Sequence, residues 1–385
     1  MSFKKLIIAI DASTSVDGGS MTHLIEVFRN IPANIFFFIE KIIIFGNDEI
    51  LSKIENKSYI IKYSNKFLNS NFIIKKLWVN LFLKKTLLTY NCDILLDLSG
   101  TYIGWFTPYI GMSQNMLIYE TEEVNRFNSI YQKIRFFILR KMQIYSFNNS
   151  EGVIFISNYA KNIVLNYLKP NLNWTIIHHG ISKIFLQNSK HEYDAELFND
   201  KIIFRLLYVS NFLPYKHHIN VINAVLELNC PEIPLELLLV GGNSETKFGC
   251  KILDYIDEKG KNCINHLEKV SYDEIHKVYN SADVFIYAST CENMPNTLIE
   301  AMASGIPVIC SNYGPMPEFG KDAVIYFNPL DVNSLKVAIL KLYGDKNLRK
   351  KMIENNKNYI SSFSWEKCSS ELFQFLKFCK LKSKN

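Results

Sequence analysis

The sequence predicts an α/β protein of two domains, each built on a parallel sheet. The chain of 385 residues is long enough for two domains of ordinary size, each with its own core. Short apolar runs rich in β-branched residues alternate with segments of helical spacing, as in sheets whose buried parallel strands are joined by helices. Residues 186–200 are polar and charged, which is typical of a linker. We therefore expect an N-terminal domain over residues 1–182 and a C-terminal domain over residues 183–363.

The composition is that of a globular protein in a reducing compartment. Hydrophobic residues make up 48% of the chain and charged residues 21%. The eight cysteines include no C-x-x-C pair, so neither a zinc site nor a disulfide framework is indicated. The first apolar run, Leu6–Ile10, is too short for a signal peptide, and no uncharged apolar stretch reaches about 18 residues. We expect a cytoplasmic protein that does not span a membrane.

Apolar runs mark the strands expected in each domain. In the N-terminal domain they are Lys5–Ile10, Ile35–Ile39, Ile42–Phe45, Ile94–Leu98, Tyr109–Ser113, Gly152–Ile156 and Trp174–Ile177. In the C-terminal domain they are Ile203–Val209, Leu235–Val240, Ile264–Leu267, Val284–Tyr287, Val308–Cys310 and Val324–Phe327. Helices are expected at Met21–Asn30, Tyr159–Leu168 and Asp331–Leu342, from His218 onward, and from Phe363 to the lysine-rich end.

Two loops of the N-terminal domain carry residues that suit a ligand. Asp17-Gly18-Gly19-Ser20 follows the first strand, and a glycine pair lets a ligand approach the backbone, although such a pair is more often only a turn. Gln114 and Asn115 follow the fifth strand, with Glu122 shortly after, and ligands bind at the carboxyl ends of parallel strands. At the end of the domain, His178-His179-Gly180 is interpreted as a hinge rather than a metal site, because neighbouring side chains on an extended chain point in opposite directions.

Positive charge is concentrated in the first 150 residues, which contain 17 Lys and Arg against 12 Asp and Glu. Two segments there, Lys53–Lys85 and Arg126–Phe147, combine basic and aromatic residues almost without acids. Cationic amphipathic helices can lie on an anionic membrane surface. The alternative is a pair of solvated helices whose apolar faces pack on the domain core. Nucleic acid is a weaker third candidate, because no motif of a nucleic-acid-binding fold is present.

A strand, loop and helix in the C-terminal domain bring two glutamates near a helix start. The strand Val284–Tyr287 leads into a loop with Glu292, and Pro295 then begins a helix that contains Glu300. The free amides at residues 295–298 carry the positive end of the helix dipole, which suits a diphosphate. Glu300 could accept hydrogen bonds from a diol such as a ribose, and Glu292 could do the same for a sugar ring. An ordinary amphipathic helix with one exposed acid explains the spacing equally well.

The residues around these glutamates resemble glycosyltransferase family 4, whose members are retaining sugar-nucleotide enzymes of the GT-B fold. The family signature is two glutamates with seven residues between them, which here are Glu292 and Glu300. Ala-Met-Ala-Ser-Gly-Ile-Pro-Val follows at 301–308, and Pro-Glu at 317–318. The resemblance implies two Rossmann-like α/β/α domains whose parallel sheets face a cleft, with the C-terminal helix, residues 364–385, crossing back to the first domain. It also implies that the N-terminal domain binds the acceptor and the C-terminal domain the nucleotide sugar.

The resemblance further implies roles for individual residues. Glu292, Lys216 and Glu300 form the catalytic group, and Lys216 holds the diphosphate of the donor, although Asn211 stands where the family usually has an arginine. Contacts to the acceptor or the donor sugar fall to Gln114, Asn115 and Glu122; many family members have a histidine near the first two. The implied donor-binding residues are Gly18, Gly19, Asn211, Lys216, Gly241, Tyr272, Glu292, Asn293, Met294, Pro295, Asn296, Thr297, Leu298 and Glu300.

The resulting expectation is a retaining glycosyltransferase. It would move a sugar from a nucleotide-diphosphate sugar to a glycan or lipid-linked glycan in cell-surface polysaccharide biosynthesis, at the inner face of the plasma membrane if the basic segments bind lipid. The sequence contains no Asp-x-Asp pair, so we expect no metal and no other cofactor, with Lys216 and the helix N-terminus stabilising the leaving diphosphate. The alternatives are another GT-B enzyme, such as an epimerase or a phosphorylase, and a non-catalytic protein that binds sugar nucleotides.

Overall fold

Two parallel β-sheets organise the chain, one in each of two compact units. The computed structural model describes residues 4–14, 18–187, 203–242, 244–260 and 262–383. Unit 1 comprises Met1–Thr121, Ser129–Gly180 and Phe363–Asn385, and unit 2 comprises Glu122–Asn128 and Ile181–Ser362. The short segment Glu122–Asn128 therefore belongs with unit 2, although its sequence neighbours belong to unit 1. The expected division was residues 1–182 with the C-terminal helix 364–385, and residues 183–363; it did not place Glu122–Asn128 with unit 2.

The described residues of unit 1 form a seven-stranded sheet in which all paired strands are parallel. Its strands are β1 (Leu6–Asp11), β2 (Ile39–Phe45), β3 (Ile60–Tyr63), β4 (Ile94–Asp97), β5 (Tyr109–Ser113), β6 (Gly152–Phe155) and β7 (Trp174–Ile176). Their order in the sheet is β3-β2-β1-β4-β5-β6-β7. The central strands β4, β5 and β6 are buried along their whole length, which is why they are continuous apolar runs.

Helices connect these strands, and the last helix of the chain returns to unit 1. They are α1 (Gly18–Arg29), α2 (Asp48–Ser52), α3 (Phe72–Leu81), α4 (Leu83–Thr89), α5 (Thr121–Asn125), α6 (Ile130–Asn148), α7 (Asn158–Val164) and, at the end of the chain, α16 (Trp365–Lys382). Short 3₁₀ turns lie at Ala33–Phe37, Leu117–Tyr119 and Leu165–Tyr167. His179 stacks between His23 of α1 and Trp365 of α16, with ring centroids 4.6 and 5.5 Å away. The second histidine of the predicted hinge is therefore packed among aromatic rings.

The described residues of unit 2 form a six-stranded sheet, again with all paired strands parallel. Its strands are β8 (Phe204–Val209), β9 (Leu235–Val240), β10 (Ile264–Leu267), β11 (Val284–Tyr287), β12 (Val308–Ser311) and β13 (Ile325–Phe327), in the order β10-β9-β8-β11-β12-β13. Its helices are α8 (Lys183–Gln187), α9 (His218–Leu228), α10 (Lys247–Tyr255), α11 (Ile275–Ser281), α12 (Asn296–Ala303), α13 (Met316–Gly320), α14 (Val332–Gly344) and α15 (Lys346–Ile360), with a 3₁₀ turn at Pro214–Lys216 and a π turn at Ile256–Gly260.

In each sheet the strand order reverses direction once. In unit 1 this happens between β1 and β4, and in unit 2 between β8 and β11. Loops that follow the two strands at such a point leave in different directions and open a crevice outside their carboxyl ends, where open α/β sheets bind ligands. A ligand site in unit 2 is therefore expected at the carboxyl ends of β8 and β11.

The predicted strand at Ile35–Ile39 is wrong. Most of that run forms the 3₁₀ turn Ala33–Phe37, and β2 begins only at Ile39. Pro32 precedes the turn with a φ of −75°, which suits the start of a helical turn, and Phe37 is 84% exposed instead of being packed in a sheet. The apolar content of this run therefore predicted a strand incorrectly, because the run is only partly buried. The other predicted strands match the observed ones to within one residue at either end, apart from the earlier start of β2.

The basic segment Lys53–Lys85 is not a simple charged face. It contains the edge strand β3 as well as α3 and α4, and Lys75 and Lys76 of α3 are only 8% and 7% exposed. Lys76 Nζ donates hydrogen bonds of 2.7 Å to the hydroxyls of Ser99 and Thr101. The expectation that both lysines are available to a membrane surface is therefore wrong, because α3 turns this part of its surface toward the interior of unit 1.

The predicted linker falls largely outside the described residues. Residues 183–187 form α8, and residues 188–200 lie in the part of the chain that the structure does not describe. The predicted helix at Met21–Asn30 begins earlier, at Gly18, and the final helix begins at Trp365.

Candidate functional site

Two loops of unit 2 meet where its strand order reverses. The loop after β8 forms the 3₁₀ turn Pro214–Lys216, and His217 then adopts a left-handed conformation with φ of 49° before α9 begins. The loop after the neighbouring strand β11 contains Glu292 and ends at Pro295, the cap of α12. The N–H of Thr290 donates a hydrogen bond of 2.9 Å to the carbonyl oxygen of Tyr215, which ties the two loops together.

Lys216 and Glu292, one from each loop, form an ion pair. Their side chains are 12% and 16% exposed, so water screens the pair only weakly. The ammonium of Lys216 also lies 5.6 Å from the ring centroid of Tyr215 and 5.5 Å from that of Tyr287, where both rings can stabilise a cation. Two residues that the sequence analysis assigned to one site are therefore in direct contact at the edge of the sheet.

Two tyrosines, Tyr287 and Tyr215, lie close enough to Glu292 to be affected by its charge. Burial, followed by the negative charge of Glu292, raises the pKa of both Tyr287 and Tyr215 well above its ordinary value. Both hydroxyls therefore remain protonated and add no negative charge beside the ion pair of Lys216 and Glu292.

The start of α12 offers fewer free amides than the sequence predicts. Pro295 has no N–H, and the N–H groups of Asn296 and Leu298 donate within the turn to the carbonyls of Met294 and Pro295, at 3.0 and 3.1 Å. Of the N–H groups at residues 295–298, only that of Thr297 has no acceptor among the described residues. The prediction of free amides across the whole turn is therefore wrong.

Three of the predicted donor-binding residues in this stretch are buried side chains. Leu298 is 0% exposed, and Asn293 and Met294 are 6% exposed. The side chain of Leu298 belongs to the core of unit 2 and cannot reach a ligand, and its N–H is already used in the turn. The side chains of Asn296 and Thr297 are half-buried and stay partly accessible.

Glu300 is a half-buried carboxyl with a dedicated partner. It accepts a hydrogen bond of 3.0 Å from the hydroxyl of Tyr279, a buried residue of α11. Burial raises the pKa of Glu300 to about 7, and the hydrogen bond from Tyr279 opposes this only in part. Tyr272, in the loop before α11, is half-buried and packs edge-on against Phe185 of α8 with ring centroids 5.9 Å apart. Glu300 is therefore not an ordinary exposed acid on an amphipathic helix.

Asn211 and Gly241 join the loops that follow β8 and β9. The side-chain oxygen of Asn211 accepts the N–H of Gly242 at 3.2 Å, and Asn211 itself is exposed. Gly241 has a φ of 155°, and a Cβ there would lie 2.1 Å from the carbonyl oxygen of Ser210, so only glycine fits this close approach. Asn211 thus connects two loops at the site without contributing charge.

Four of the predicted residues belong to unit 1. Gly18 and Gly19 are exposed at the start of α1 rather than in a loop, and nothing lies within 4 Å of a Cβ built at Gly18. Residues 15–17 before them, including the predicted Asp17, lie outside the described residues. Gln114 is half-buried after β5, and exposed Asn115 accepts the N–H of Leu117 at 3.1 Å. Glu122, by contrast, is exposed in the segment that belongs to unit 2.

The segment Glu122–Asn128 contributes residues to this site that no sequence motif predicts. The ring of Phe127 lies 6.3 Å from the ring of Tyr215. Burial and, as the smaller cause, the positive charge of Arg126 together lower the pKa of His217 to about 4. The segment therefore lies against the loop after β8. Its only signal in the sequence was that Arg126 and Phe127 open the second basic segment, which says nothing about this neighbour.

Neither a metal cluster nor a membrane-spanning helix is found in the described ranges. No group of three or more His, Cys, Asp or Glu residues there could hold a metal ion. No helix in the same part of the chain combines the length and the apolar character needed to cross a bilayer.

Comparisons with known proteins find a family match in the second half of the chain. Residues 179–359, just under half of the chain, match the family described as Glycosyl transferases group 1. An uncharacterized glycosyltransferase of Methanocaldococcus jannaschii, MJ1178, is 29% identical over 229 residues, which are 58% of each chain. The O-antigen chain mannosyltransferase B of Escherichia coli is 32% identical over 108 residues, 28% of each chain. The chain thus spans little more than half the length of the first relative and under a third of the second.

Solved structures share the fold over nearly the whole length. Sucrose-phosphate synthase from Thermosynechococcus elongatus superposes with a TM-score of 0.77 at 16% identity, covering 99% of this chain and 100% of that one. The Anabaena protein Alr3699/HepE, in complex with UDP and glucose, superposes with a TM-score of 0.72 at 15% identity, covering 97% and 99%. The predicted fold class is confirmed. The chain has the GT-B fold, and its residues 179–359 are similar to the glycosyl transferases group 1 family.

Proposed function

We propose that the protein is a glycosyltransferase that moves a sugar from a nucleotide-diphosphate sugar to an acceptor hydroxyl. The observation that carries the proposal is the contact between Lys216 and Glu292 where the strand order of unit 2 reverses, with Glu300 on the helix that follows. One cation and two carboxylates at this edge suit a diphosphate and two sugar rings. The family match covers the same residues, and the Anabaena neighbour holds UDP and glucose.

In the proposed complex, the donor diphosphate takes Lys216 as its cation, and the N–H of Thr297 supplies a further hydrogen bond. Glu300 accepts hydrogen bonds from the ribose diol, because Tyr279 holds its carboxyl in place while part of the side chain stays accessible. Glu292 accepts from the transferred sugar. Its carboxylate becomes available to the sugar hydroxyls when the diphosphate displaces it from Lys216.

The proposed reaction exchanges one bond at the anomeric carbon. The bond from that carbon to the diphosphate oxygen breaks, and a bond to the acceptor oxygen forms. Attack occurs on the face from which the diphosphate departs, so that the anomeric configuration is retained, and the acceptor proton passes to the leaving diphosphate. This stereochemistry rests on the resemblance to family 4. Lys216 stabilises the charge of the leaving diphosphate in the role that a metal held by an Asp-x-Asp pair would otherwise have.

A donor-binding screen tests the proposal. UDP-, GDP-, ADP- and dTDP-sugars are added separately while thermal unfolding is followed, since a ligand at 100 times its Kd adds about 2.7 kcal/mol of stability. We expect one donor class to stabilise the wild type and the Lys216→Ala variant to lose most of that effect. Lys336→Ala is the matched control, because Lys336 pairs with Glu227 elsewhere in unit 2. The proposal fails if none of the four classes stabilises the wild type.

Metal independence and retention are tested in a transfer assay with the donor that binds. Activity should persist in saturating EDTA, and Lys216→Ala should lower it about 10²- to 10³-fold. Activity that disappears with EDTA and returns with Mg²⁺ or Mn²⁺ would contradict the proposed role of Lys216. Proton NMR of the product should show the same anomeric configuration as the donor, and the opposite configuration would refute retention.

We also propose that unit 1 binds an anionic membrane surface at the cytoplasmic side and takes a lipid-linked glycan as acceptor. Of the 26 large apolar side chains that are exposed in the described residues, 16 lie between Phe67 and Tyr145. Most of them are on α3 and α6, and Trp105, in the loop after β4, is 65% exposed. The guanidinium of Arg135 on α6 lies 5.4 Å from the ring centroid of Phe72 on α3, so the two helices share one surface. We call this surface the apolar face.

The charge around the apolar face favours lipid over a second copy of the chain. The sequence contains no acid between residues 56 and 92 or between residues 126 and 150. Lys84, Lys85, Arg135 and Lys141 are exposed there. Two copies would place cations against cations, whereas an anionic headgroup layer is attracted by the same charges while the apolar side chains insert.

Vesicle sedimentation tests this surface. The wild type should bind phosphatidylglycerol vesicles at low salt and dissociate as salt rises, because surface charges are screened. Replacing Trp105 and Phe137 with serine should weaken binding about tenfold or more, as should replacing Lys84 and Lys85 with glutamate. Phe378→Ser is the matched control, since Phe378 is 50% exposed on α16 outside the apolar face. A wild type that stays in the supernatant at low salt would contradict membrane binding.

A further inference from the structure

The edge of unit 2 that carries Lys216 offers little net charge to a diphosphate. Lys216 is neutralised by Glu292, and Asn211 on the same loop is uncharged. The first turn of α12 adds the single N–H of Thr297. A diphosphate carries more negative charge than this set can balance, so a second cation at this edge would strengthen its binding.

The segment Glu122–Asn128 brings a second cation to the same loop. Phe127 is buried and packs on Tyr215, the residue before Lys216. The charge of Arg126 also reaches His217, the residue after Lys216, whose pKa it lowers in addition to burial. Arg126 is therefore placed beside the turn that presents Lys216, although about 90 residues separate the two in the sequence.

One edge of the Arg126 guanidinium is held and the other is open. Its Nε donates a hydrogen bond of 2.7 Å to Glu123, whose side chain is only 7% exposed. The Arg126 side chain is 34% exposed, and within the described parts of the chain its terminal nitrogens make no hydrogen bond. A planar guanidinium fixed through Nε keeps its terminal N–H groups for a ligand, and such a fork matches the oxygens of a phosphate.

We propose that Arg126 binds the diphosphate of the nucleotide donor together with Lys216, and that Glu123 is a positioning residue for its guanidinium. The identity of the ligand rests on the proposed function of the site. The donor site of unit 2 is then completed by a segment that lies, in sequence, between two parts of unit 1.

Calorimetric titration with UDP, GDP, ADP and dTDP tests this role, using the nucleoside diphosphate that binds the wild type. Arg126→Ala should weaken binding about 10- to 100-fold, because a charge-assisted contact to phosphate is lost. Arg126→Lys should weaken it less, because it keeps the charge but not the planar fork. Arg205→Ala is the matched control: Arg205 also donates through Nε to a glutamate, Glu236, but at the amino end of β8.

Two further variants separate ligand binding from a structural role. Glu123→Gln keeps an oxygen that accepts the hydrogen bond from Arg126 Nε but removes the negative charge, so the guanidinium stays positioned and binding should stay the same or strengthen. If Arg126→Ala and Glu123→Gln weaken binding equally, the pair is only structural and the inference is overturned. Adding Asn211→Arg to Arg126→Ala should restore binding in part, because residue 211 is exposed on the same loop.

The outcomes for the wild type distinguish this inference from the proposed function. A wild type that binds none of the four nucleoside diphosphates overturns both. A wild type whose binding is lost in Lys216→Ala but unchanged in Arg126→Ala supports the proposed donor site and overturns the role of Arg126.

Discussion

Replacing Glu300 with glutamine should change how stability depends on pH. Burial raises the pKa of Glu300 from its ordinary value of 4.5 to about 7 in the folded protein. A folded-state pKa that is raised in this way means that the contribution of the group to stability is complete below about 4.5 and is lost as pH rises through 7. Glutamine has nearly the same shape, does not titrate, and can still accept the hydrogen bond from Tyr279.

The magnitude follows from the shift. Each pKa unit corresponds to about 1.36 kcal/mol, so the shift from 4.5 to about 7 is worth about 3.4 kcal/mol, of which about 2.5 kcal/mol falls between pH 5 and pH 8. This is an upper value, because water reaches the accessible part of the Glu300 side chain. Relative to the wild type, Glu300→Gln should therefore gain up to about 2.5 kcal/mol of unfolding free energy over that range.

The assay is urea-induced unfolding of the wild type and the variant at pH 5, 6, 7 and 8. The quantity of interest is the difference between their unfolding free energies at each pH. Tyr279→Phe should steepen the pH dependence, because it removes the hydroxyl that favours the charged form of Glu300. A wild-type-to-Gln difference that stays flat from pH 5 to pH 8 would refute the assignment of a carboxyl whose pKa is raised by burial.

Three further predictions concern stability and are checked by denaturant unfolding. Gly180→Ala should cost more than about 3 kcal/mol, because the new Cβ would lie 2.1 Å from the backbone nitrogen of Trp365; stability close to wild type would contradict this packing. Lys76→Met should cost about 3–5 kcal/mol because Lys76 is buried and partnered, whereas exposed Lys84→Met should stay within about 0.5 kcal/mol; equal effects would contradict the difference in burial. Asp345→Ala should cost about 1 kcal/mol, because its side chain caps α15 at the N–H of Leu348, and no change would show that the cap is dispensable.

Most strands of both sheets were predictable, because a central strand of a parallel sheet is buried on both faces and must be apolar along its length. Strands such as β4 and β11 satisfy this condition and stand out from their flanks. The condition fails at the edges. The edge strand β3 is only half-buried and carries a lysine, so nothing in its pattern separated it from the basic segment around it. The run at Ile35–Ile39 is apolar but partly exposed, and it produced a strand prediction where a 3₁₀ turn forms.

The residue types expected at the site were also predictable, since Lys216 and Glu292 lie in loops that follow strands identified by the apolar pattern, and Glu300 lies on the helix after the second loop. Their environments were not. Whether Glu300 is an exposed helix acid or a half-buried carboxyl depends on Tyr279, which comes from another helix. Whether the amides at the start of α12 are free depends on how the turn at Pro295 closes.

The sequence by itself determined that the chain is α/β, where most strands lie, and which loops carry charge at the carboxyl ends of strands. Only the tertiary structure decided which of these loops meet. Lys216 and Glu292 are 76 residues apart and pair because β8 and β11 are neighbours in the sheet, and strand order leaves no trace in local periodicity. For the same reason the position of Arg126 beside the loop after β8 could not be predicted from the sequence. It depends on which unit the segment Glu122–Asn128 packs against. Local patterns record whether a residue is buried or exposed, whereas contacts between distant segments depend on how the strands are ordered.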